Sequence, residues 1–443
     1  MAPRPDPVVS DPTQPTRTGV VVVGGGIVGV STALFLARKG IPVVLCEKGQ
    51  IAGEQSSRNW GWVRKMGRDP CEVPLAIEAQ KLWSEMDIQT GAETGFRRCG
   101  IVYLCRTPEE LARREAWLDQ VARPHQLDSR LLTRDEMGRV LPGLAGTWAG
   151  ALFTPSDGRA EPQKAAPAIA LAARAHGATI LTGCAVRGID AQAGRVAGVV
   201  TENGRIACDS VVLAGGVWSR MFCRQLGIRL PQLRVMSSVM RTEPIADGPE
   251  TSASGRGFSL RKRIDGGYTV ASWSGNVHDI MPDTLRFARD FLPALRHQAG
   301  SLKLRLTGEF AREMMAPRRW SLDSVTPFER TRVLDPPPHA PILAEAETNL
   351  KAAFPAFHTM RIAERWGGVI DVTPDAVPVI SAIDTLPGFF IATGFTGHGF
   401  GIGPGAGRLM AELVTGETPV VDPTPFRYSR FTDGSRPRPH PLA

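Results

Sequence analysis

Features that mark several classes of protein are missing from the 443 residues of this chain. The seven cysteines form no Cys-x-x-Cys pair, and some lie in apolar runs, as Cys46 does in PVVLCE. This usage argues against a disulfide framework and favours buried, reduced thiols in a cytoplasmic protein. No serine–histidine–acid or metal-ligand cluster has a recognisable spacing, so no metal is expected.

Long runs of one charge are also missing. Lys and Arg number 52 and Asp and Glu 44, which gives a net charge of +8. A nucleic-acid-binding arm would carry its Lys and Arg in a cluster, whereas the excess here is scattered along the chain. We expect a solvated basic surface that is compatible with anionic small-molecule substrates, and no nucleic-acid partner.

Residues 1–18 have no apolar stretch of the kind that a secretory signal peptide needs. They are polar and rich in Pro, which predicts a disordered tail. The longest apolar run, residues 20–37, could span a membrane on length alone, but glycines interrupt it at fixed places. A chain of this length is expected to hold two domains.

Those glycines belong to a pattern that predicts a βαβ unit. Residues 20–23 read as a β-branched strand, and GGGIVG follows at once. Residues 28–39 read as a helix that ends at Gly40, and residues 43–46 as a second strand that closes on Glu47. Strand, glycine turn, helix and acid stand in the order of a dinucleotide-binding unit.

Each part of this unit has a physical role. Gly24 permits the tight turn, Gly26 lets a pyrophosphate approach the backbone, and Gly29 lets the helix pack on the strand. Unpaired N–H groups at the helix N-terminus attract phosphate. Glu47 is in position to accept hydrogen bonds from a ribose diol.

The segments after Glu47 favour FAD over NAD. The small polar run AGEQSSRN, residues 52–59, could wrap a diphosphate and a ribityl chain. The strand in VVLAGG ends on small residues that let a cofactor lie against the backbone. A glycine-rich turn at residues 394–405 precedes a helix of about residues 406–415, and we expect the helix N-terminus to stabilise negative charge on the flavin.

Three stretches together resemble the FAD-dependent D-amino-acid oxidase superfamily, which includes glycine oxidase, sarcosine oxidase and D-amino-acid dehydrogenases. They are VVLAGGVWS, RWGGVIDVTPDAVPVIS and TGFTGHGFGIGPGAG, and the matches spread over most of the chain. The resemblance implies an α/β fold, with a discontinuous Rossmann-like FAD-binding domain and an α+β substrate domain built on an antiparallel sheet. The implied ranges are 19–61, 154–225 and 366–418 for the FAD-binding domain, 62–153 and 226–365 for the substrate domain, and 419–443 for a C-terminal tail.

The resemblance also implies a reaction. Family members oxidise an amine at its α-carbon by passing a hydride equivalent to flavin N5, and the imine then hydrolyses to a 2-oxo acid and ammonia. We expect an amino-acid oxidase or dehydrogenase. The stretch SSRNWGWVRK is more similar to L-amino-acid oxidases than to glycine oxidase, and the enantiomer of the substrate stays open. The alternatives are a secondary-amine (sarcosine-like) oxidase and an FAD-bound subunit of an opine- or hydroxyproline-type oxidase complex. A flavin monooxygenase or NAD-linked dehydrogenase would need an NADPH site or a C-terminal Gly-Asp contact to the flavin, and neither is seen.

A substrate carboxylate calls for a guanidinium, whose planar fork binds it at two points. Arg64 has the spacing past Ser56 that the carboxylate-binding arginine has in sarcosine oxidase; the alternative is a surface arginine. His398 is expected either to polarise groups near the flavin or to bond backbone in its turn, and Trp366 to approach the flavin from the substrate side. The candidate walls of the substrate pocket, or else ordinary packing residues, are Trp62, Tyr268 and Trp273.

The sequence departs from the family at two places. Sarcosine oxidases carry a lysine directly after the GHGF run, where this chain has Gly401, so the electron acceptor stays open between O₂ and a quinone or another carrier. The C-terminal third has no cysteine for covalent attachment, so we expect noncovalent FAD. Homo-oligomerisation and peripheral membrane contact stay open. The predicted FAD contacts are Gly24, Gly26, Ile27, Val28, Gly29, Glu47, Lys48, Gln55, Ser56, Ser57, Asn59, Gly61, Trp62, Val186, Ala214, Gly215, Trp218, Gly368, Gly394, Thr396, Gly397, His398, Gly399 and Phe400.

Overall fold

A computed structural model describes residues 3–273, 275–298 and 302–442 of the chain. Its strands are β1 Val20–Val23, β2 Val43–Glu47, β3 Trp62–Val63, β4 Arg97–Arg98, β5 Ile101–Cys105, β6 Arg130–Leu132, β7 Gly150–Thr154, β8 Gly158–Arg159, β9 Thr179–Thr182, β10 Val186–Gln192, β11 Arg195–Thr201, β12 Gly204–Ala207, β13 Ser210–Leu213, β14 Leu233–Thr242, β15 Ser252–Gly255, β16 Phe258–Lys262, β17 Tyr268–Ala271, β18 Asn276–Asp279, β19 Leu302–Arg305, β20 Ile362–Val372, β21 Val379–Ala382 and β22 Phe389–Thr393. Its α-helices are α1 Ile27–Arg38, α2 Gln55–Arg58, α3 Val73–Thr90, α4 Pro108–Trp117, α5 Arg134–Val140, α6 Pro162–Ala175, α7 Ser219–Gln225, α8 Pro282–Arg286, α9 Ala288–Gln298, α10 Glu309–Met315, α11 Pro327–Arg330, α12 Ala340–Ala353 and α13 Gly399–Thr415. Short 3-10 turns lie at Pro70–Glu72, Gly216–Trp218, Pro355–Phe357, Thr424–Phe426 and Tyr428–Phe431, and one π-helical turn at Leu118–Ala122.

The first sheet has the order β21-β22-β13-β1-β2-β9 and is parallel except for β21. The four valines of β1 explain its central place, because strands of a parallel sheet are covered on both faces. Val20 and Val22 pack in a core with α1, α6 and α13, whereas Val21 faces a second core that includes α7. The predicted βαβ unit is confirmed as β1, α1 and β2, with Glu47 as the last residue of β2.

The second sheet contains ten strands in the order β19-β18-β14-β17-β16-β15-β5-β7-β6, and β20 pairs with β14 beside this path. Its pairs are antiparallel except for β5–β15 and β18–β19. The mixed α/β architecture was expected, but the ranges predicted for the two domains stay a prediction. One predicted boundary, residue 366, lies inside β20, which pairs with β14 along nearly its whole length. Two small sheets, β10-β11-β12 and β3-β8-β4, complete the strand pairing.

Residues near both ends of the chain pack against the rest of the protein, which their composition did not predict. The tail expected to be disordered, residues 1–18, is tied down within its described part: Asp6 N donates to Gln163 O at 2.9 Å, and Asp11 N to Ile180 O at 2.8 Å. Backbone hydrogen bonds of this kind leave no signature in side-chain composition. At the other end of the chain, Arg430 is buried and donates to Asp375 at 2.8 Å, so part of residues 419–443 packs on the core.

Helix α13 begins earlier than expected, at Gly399, and continues through the residues predicted as a glycine-rich turn. The glycines are helical because neighbouring elements leave no room for side chains. A Cβ on Gly403 would stand 2.8 Å from Ile27, and one on Gly407 would collide with Ser31 of α1. Close packing of α13 on α1 therefore overrides the low helix propensity of glycine.

Two further observations concern the state of the cysteines and the possibility of a membrane-spanning helix. All seven cysteines are free thiols; Cys71 and Cys99 are half-buried and the others are buried. No helix in the described part of the chain has both the length and the hydropathy that a membrane crossing demands.

Candidate active site

A cavity of about 340 Å³ lies where the parallel strands of the first sheet end against the second sheet. Val23, Glu47 and Leu213, at the carboxyl ends of β1, β2 and β13, line one part of it. Tyr103 of β5 and Val239 of β14 line the opposite part. A crevice beyond the carboxyl ends of parallel strands is the usual nucleotide site of α/β folds.

The turn between β1 and α1 forms the narrow end of the cavity. Gly24 has φ +113°, and a Cβ there would collide with the backbone at the end of β13. At Gly26 a Cβ would stand 3.1 Å from Ser56 Oγ, which accepts a hydrogen bond from Ile27 N at 2.8 Å. Gly29 does not line the cavity: a Cβ there would collide with Gly24 O, so its role is to let α1 approach the turn.

The carboxylate of Glu47 is fixed by backbone groups. Oε2 accepts from Gly25 N and Oε1 accepts from Gly49 N, both at 2.7 Å. Burial raises the pKa of this carboxyl, although the two N–H donors oppose the change. Each carboxylate oxygen can accept more than one hydrogen bond, so Glu47 can still accept from a ribose diol.

Lys48 lines the cavity, but its ammonium is fully engaged by the protein. Nζ donates to Glu54 Oε1, Thr331 O and Arg332 O, each at 2.8 Å. Glu54 also accepts from Trp218 Nε1 at 2.9 Å. Since an ammonium has three donors and all are used here, Lys48 holds this wall together. Glu54, its acidic partner, was not among the residues predicted for the site.

A buried network joins Gln55 to the far wall. Gln55 Nε2 donates to Asp371 Oδ1 at 2.7 Å, and its Oε1 accepts from Val217 N at 2.9 Å. Asp371 Oδ2 accepts from Gly394 N at 2.7 Å and from Gln232 Nε2 at 3.0 Å. Burial raises the pKa of Asp371 despite these donors. Gly394 thus supports the wall from behind, and the sequence analysis missed Asp371 and Gln232.

The residues around Asn59 shape the turn that leaves α2. Asn59 Nδ2 donates to Ser56 O, and its Oδ1 accepts from Gly61 N, both at 2.8 Å. Gly61 has φ +77°, and a Cβ there would stand 2.5 Å from Ala160 O. Contrary to the prediction of direct contacts, Ser57 and Gly61 do not line the cavity, and Ser57 is fully buried behind it.

Trp366 also lies behind the wall rather than on it. Its ring is buried in a cluster with Val239, and Nε1 donates to Arg58 O at 3.0 Å. Arg58 is itself structural, since it donates to Asp335 at 2.7 Å and to Gly367 O at 3.1 Å. The predicted catalytic position of Trp366 is therefore corrected to a support for the segment that carries Arg58.

Of the two candidate wall residues near β17, the structure brings only Trp273 to the cavity. Tyr268 is fully buried, its hydroxyl donates to Pro249 O at 3.1 Å, and its ring meets Phe357 edge-on at 4.8 Å between centroids. The pocket role predicted for Tyr268 is thus contradicted, because it faces the core side of the sheet. Trp273 is half exposed, and its ring centroid lies 6.4 Å from that of Tyr103.

Two buried arginines meet at the wide end of the cavity. Arg64 donates through Nη1 to Met66 O, and its guanidinium lies 5.9 Å from the ring centroid of Tyr103. Arg68, which is 1% exposed, donates to Arg64 O and to His398 O, each at 3.3 Å. Arg68 Nη1 and the Tyr103 hydroxyl are buried and have no hydrogen-bond partner among the described residues. Both residues line the cavity, and the sequence analysis missed both.

Glu72 and His398 lie beside this arginine pair. His398 Nδ1 is 3.4 Å from Glu72 Oε2, which is 3.9 Å from Arg68 Nη1. Burial, followed by the charge of Arg68, lowers the pKa of His398 to about 4. Burial alone would raise the pKa of Glu72, but His398, Arg68 and Arg64 outweigh it and the pKa is lowered. At neutral pH the group is therefore an ionised carboxylate, a neutral imidazole and two guanidiniums.

The N-terminus of α13 closes the cavity beside this cluster. The backbone from Thr396 to Gly401 lines it, with Thr396 at φ +48° and Gly397 at φ +78°. A Cβ on Gly401 would stand 2.9 Å from Trp62 O, and Gly401 O accepts from Trp83 Nε1 at 2.8 Å. A side chain at position 401, where sarcosine oxidases carry a lysine, would therefore force β3 or the start of α13 to shift.

The cavity thus gathers most of the predicted residues, and the roles assigned to them stay predictions. The predicted residues that do not line it are Gly29, Ser57, Gly61, Tyr268, Trp366 and Gly394. Those that do are Gly24, Gly26, Ile27, Val28, Glu47, Lys48, Gln55, Ser56, Asn59, Trp62, Arg64, Val186, Ala214, Gly215, Trp218, Trp273, Gly368, Thr396, Gly397, His398, Gly399 and Phe400. No group of three or more His, Cys, Asp or Glu residues suited to a metal ion occurs in the described ranges.

Comparison with known sequences gives one family. The profile of the family described as DAO, FAD dependent oxidoreductase, matches residues 19–413. The chain is 28% identical over 431 residues to 4-methylaminobutanoate oxidase (formaldehyde-forming) of Paenarthrobacter nicotinovorans, across 94% of this chain and 46% of that protein. It is 25% identical over 422 residues to glycine oxidase of Pseudomonas putida, across 92% of this chain and 97% of that enzyme. The chain therefore spans about half the length of the first relative and nearly all of the second.

Solved structures extend the comparison. L-amino acid deaminase from Proteus myxofaciens, in complex with anthranilate, aligns with a TM-score of 0.93 and 33% identity over 97% of both chains. The L-amino acid deaminase from Proteus vulgaris aligns with a TM-score of 0.92 and 33% identity, over 96% of this chain and 100% of that one.

Proposed function

The chain belongs to the DAO family of FAD-dependent oxidoreductases, and from this premise we propose that it oxidises a free L-amino acid at its α-carbon. The products are a 2-oxo acid and ammonia. The observation that carries the proposal is the pair of buried guanidiniums, Arg64 and Arg68, that faces the cavity beside the Tyr103 hydroxyl. The two L-amino acid deaminases, at 33% identity, support the choice of enantiomer.

The residues along the cavity fit FAD. Its narrow end offers the glycine turn at Gly24 and Gly26 and the carboxylate of Glu47, which suit a diphosphate and a ribose. Its other end offers the backbone at the start of α13, whose N–H groups suit a region of negative charge. When bound there, FAD supplies the hydride acceptor for the substrate α-carbon.

Arg68 and Arg64 would bind the substrate carboxylate. The guanidiniums carry two positive charges, whereas Glu72 is the one carboxylate among the described residues that pairs with this cluster. A carboxylate that enters the cavity compensates the remaining charge and gives Arg68 Nη1 and the Tyr103 hydroxyl the acceptor that they lack. The anthranilate bound by the Proteus myxofaciens relative carries such a carboxylate.

The same charges prepare the substrate amine. An amine must be neutral before its α-carbon can lose hydride, and nearby cations disfavour the ammonium form. Arg64 and Arg68 therefore favour the neutral amine, and the proton that the ammonium loses passes to solvent. His398, neutral because its pKa is about 4, adds no further positive charge to this effect. Trp62 and Trp273 supply apolar walls that help to exclude water from the reacting carbon.

Anaerobic spectroscopy of the purified yellow protein tests the proposal. An L-amino acid is expected to bleach the flavin absorbance without any pyridine nucleotide, and the D-enantiomer is expected to leave it unchanged. The reduced protein is then exposed to air or, separately, to a quinone, and the return of the flavin absorbance identifies the electron acceptor. If neither amino acids nor amines bleach the protein, the proposed reaction is wrong.

A secondary-amine substrate is the second candidate, because the 28% identical relative is a formaldehyde-forming methylaminobutanoate oxidase. The same experiment with N-methyl amino acids distinguishes the two. Bleaching by N-methylated substrates with release of formaldehyde, and none by primary amino acids, would favour this second candidate.

A further inference from the structure

A second cavity, of about 210 Å³, lies outside the proposed active site. It forms where the end of α7 meets α8 and the segment after α10. Apart from Gly227 and Ile228, all the residues that line it are arginines: Arg224, Arg286, Arg318 and Arg319. We call this cavity the four-arginine site.

The carboxylates near the site are bound to other cations. Asp283 and Glu313 both pair with Arg220. Asp290 pairs with Arg229 at 2.6 Å. Among the residues that the structure describes, none of the four arginines of the site forms an ion pair. The site therefore concentrates positive charge that the protein itself does not neutralise.

One of the four arginines is held partly out of solvent. Arg224 is half-buried, its Nε is buried without a hydrogen-bond partner in the described chain, and its Nη2 donates to Pro317 O at 3.4 Å. Arg319 Nη2 reaches over Gly227, 3.8 Å from where a Cβ would stand. A half-buried guanidinium without an ionic partner is stabilised by a nearby anion, and the cavity that Arg224 lines has room for one.

We propose that the four-arginine site binds a phosphate group. Guanidinium forks match the oxygens of phosphate, and a phosphate carries close to two negative charges at neutral pH. The cavity volume is several times the roughly 30 Å³ that a water molecule occupies in the liquid, so it has room for such a group. A nucleic acid is disfavoured, because the arginines converge on one cavity and do not form a stripe along a surface.

The phosphate has two possible sources. It is either free in solution or part of a lipid headgroup, since exposed apolar side chains flank the site: Leu285 is 64% exposed and Met315 79%. The shared chemistry is the phosphate group, and the experiment must separate the sources.

Titration of the FAD-loaded protein tests the site. Inorganic phosphate is followed by calorimetry at constant ionic strength, and vesicles of phosphatidic acid or of phosphatidylcholine by co-sedimentation. The double variant Arg318→Gln/Arg319→Gln is expected to weaken phosphate binding by about tenfold or more, through loss of charge-assisted hydrogen bonds. The matched control is Arg289→Gln, an exposed arginine of α9 that does not line the site.

Each outcome of these titrations either supports or overturns the proposed phosphate site. Binding of inorganic phosphate that the double variant loses and the control keeps supports a free ligand. Binding to phosphatidic acid vesicles alone, lost in the same variant, supports a headgroup. Binding to neither probe, or equal binding by all variants, overturns the proposal. Flavin absorbance and the thermal midpoint verify folding, and Arg286→Gln replaces the double variant if that one fails to fold. Amino-acid bleaching is expected to be unchanged in every variant, so this test is independent of the proposed reaction.

Discussion

Substitution of Arg68 by Lys tests the proposed carboxylate site. The change keeps a positive charge near Glu72 but removes the planar fork, and with it one of the two hydrogen bonds that a carboxylate could accept. A hydrogen bond to a charged group contributes about 1.5–3 kcal/mol, so the affinity for a carboxylate ligand should fall by roughly tenfold to a hundredfold. Because Arg68 is 1% exposed, solvent cannot replace the lost donor.

Arg64→Lys is the comparison for this prediction. Arg64 is 9% exposed against 1% for Arg68, so solvent can replace part of a lost donor there and the loss of affinity should be smaller. The assay is titration of the oxidised protein with anthranilate, followed by the flavin spectrum, together with kcat and KM for the best amino acid. An Arg68→Lys protein that binds anthranilate within about twofold of the wild type would refute the assignment.

Three further changes test the packing and the charges around the cavity. Gly401→Ala is expected to lower the thermal midpoint and weaken FAD binding, at a cost of about 1–3 kcal/mol, because the Cβ would stand 2.9 Å from Trp62 O. Glu161→Gln leaves buried Arg261 without its ionic partner at 2.7 Å and should cost about 3–5 kcal/mol in chemical denaturation. His398→Gln should flatten the dependence of stability on pH between about 4 and 6.5. The pKa of His398 is depressed in the folded state, so the wild type loses stability as pH falls through this window, by at most about 3 kcal/mol.

Matched control variants separate these specific effects from a general loss of stability. Gly138→Ala, in α5 where a Cβ meets nothing within 4 Å, should be neutral or stabilising. Glu309→Gln breaks an exposed pair with Arg312 and should change stability by less than about 1 kcal/mol. His176→Gln, at an exposed position, should leave the pH profile as it is. Each interpretation fails if the test variant behaves like its control.

The parts of the site that the sequence predicted come from local motifs and from the family resemblance. Gly24, Gly26 and Glu47 lie within one βαβ unit, whose turn and strand lengths fix their relative positions. Tyr103 was missed because pairing of β5 with β7 and β15 brings it to Arg64, and that pairing is a property of the whole sheet. Tyr268 was misplaced for the same reason, since the register of β17 decides which face its side chain takes.

Arg68 was missed for a more local reason. It follows Arg64 by four residues, and Gly67, at φ +65°, turns the chain between them so that both guanidiniums reach the same cavity. The glycine in RKMGRD was a visible signal, because a turn there could bring the two arginines together. The early start of α13 left no such signal, because its glycines are matched to close contacts with β3, α3 and α1, which are distant along the chain.

Gly401 and Arg68 meet where the start of α13 packs on the segment that contains β3. Gly401 lets the start of α13 lie against β3, and that contact brings the segment after β3 close enough for Arg68 to donate to His398 O at 3.3 Å. A Cβ at position 401 would already crowd β3, and the two cations that do reach the cavity, Arg64 and Arg68, come from the segment that follows β3. On this reasoning, Gly401→Lys should not restore the family arrangement; it should displace β3 and lower both FAD retention and anthranilate affinity. A Gly401→Lys protein that keeps FAD and reacts faster with O₂ would contradict this expectation.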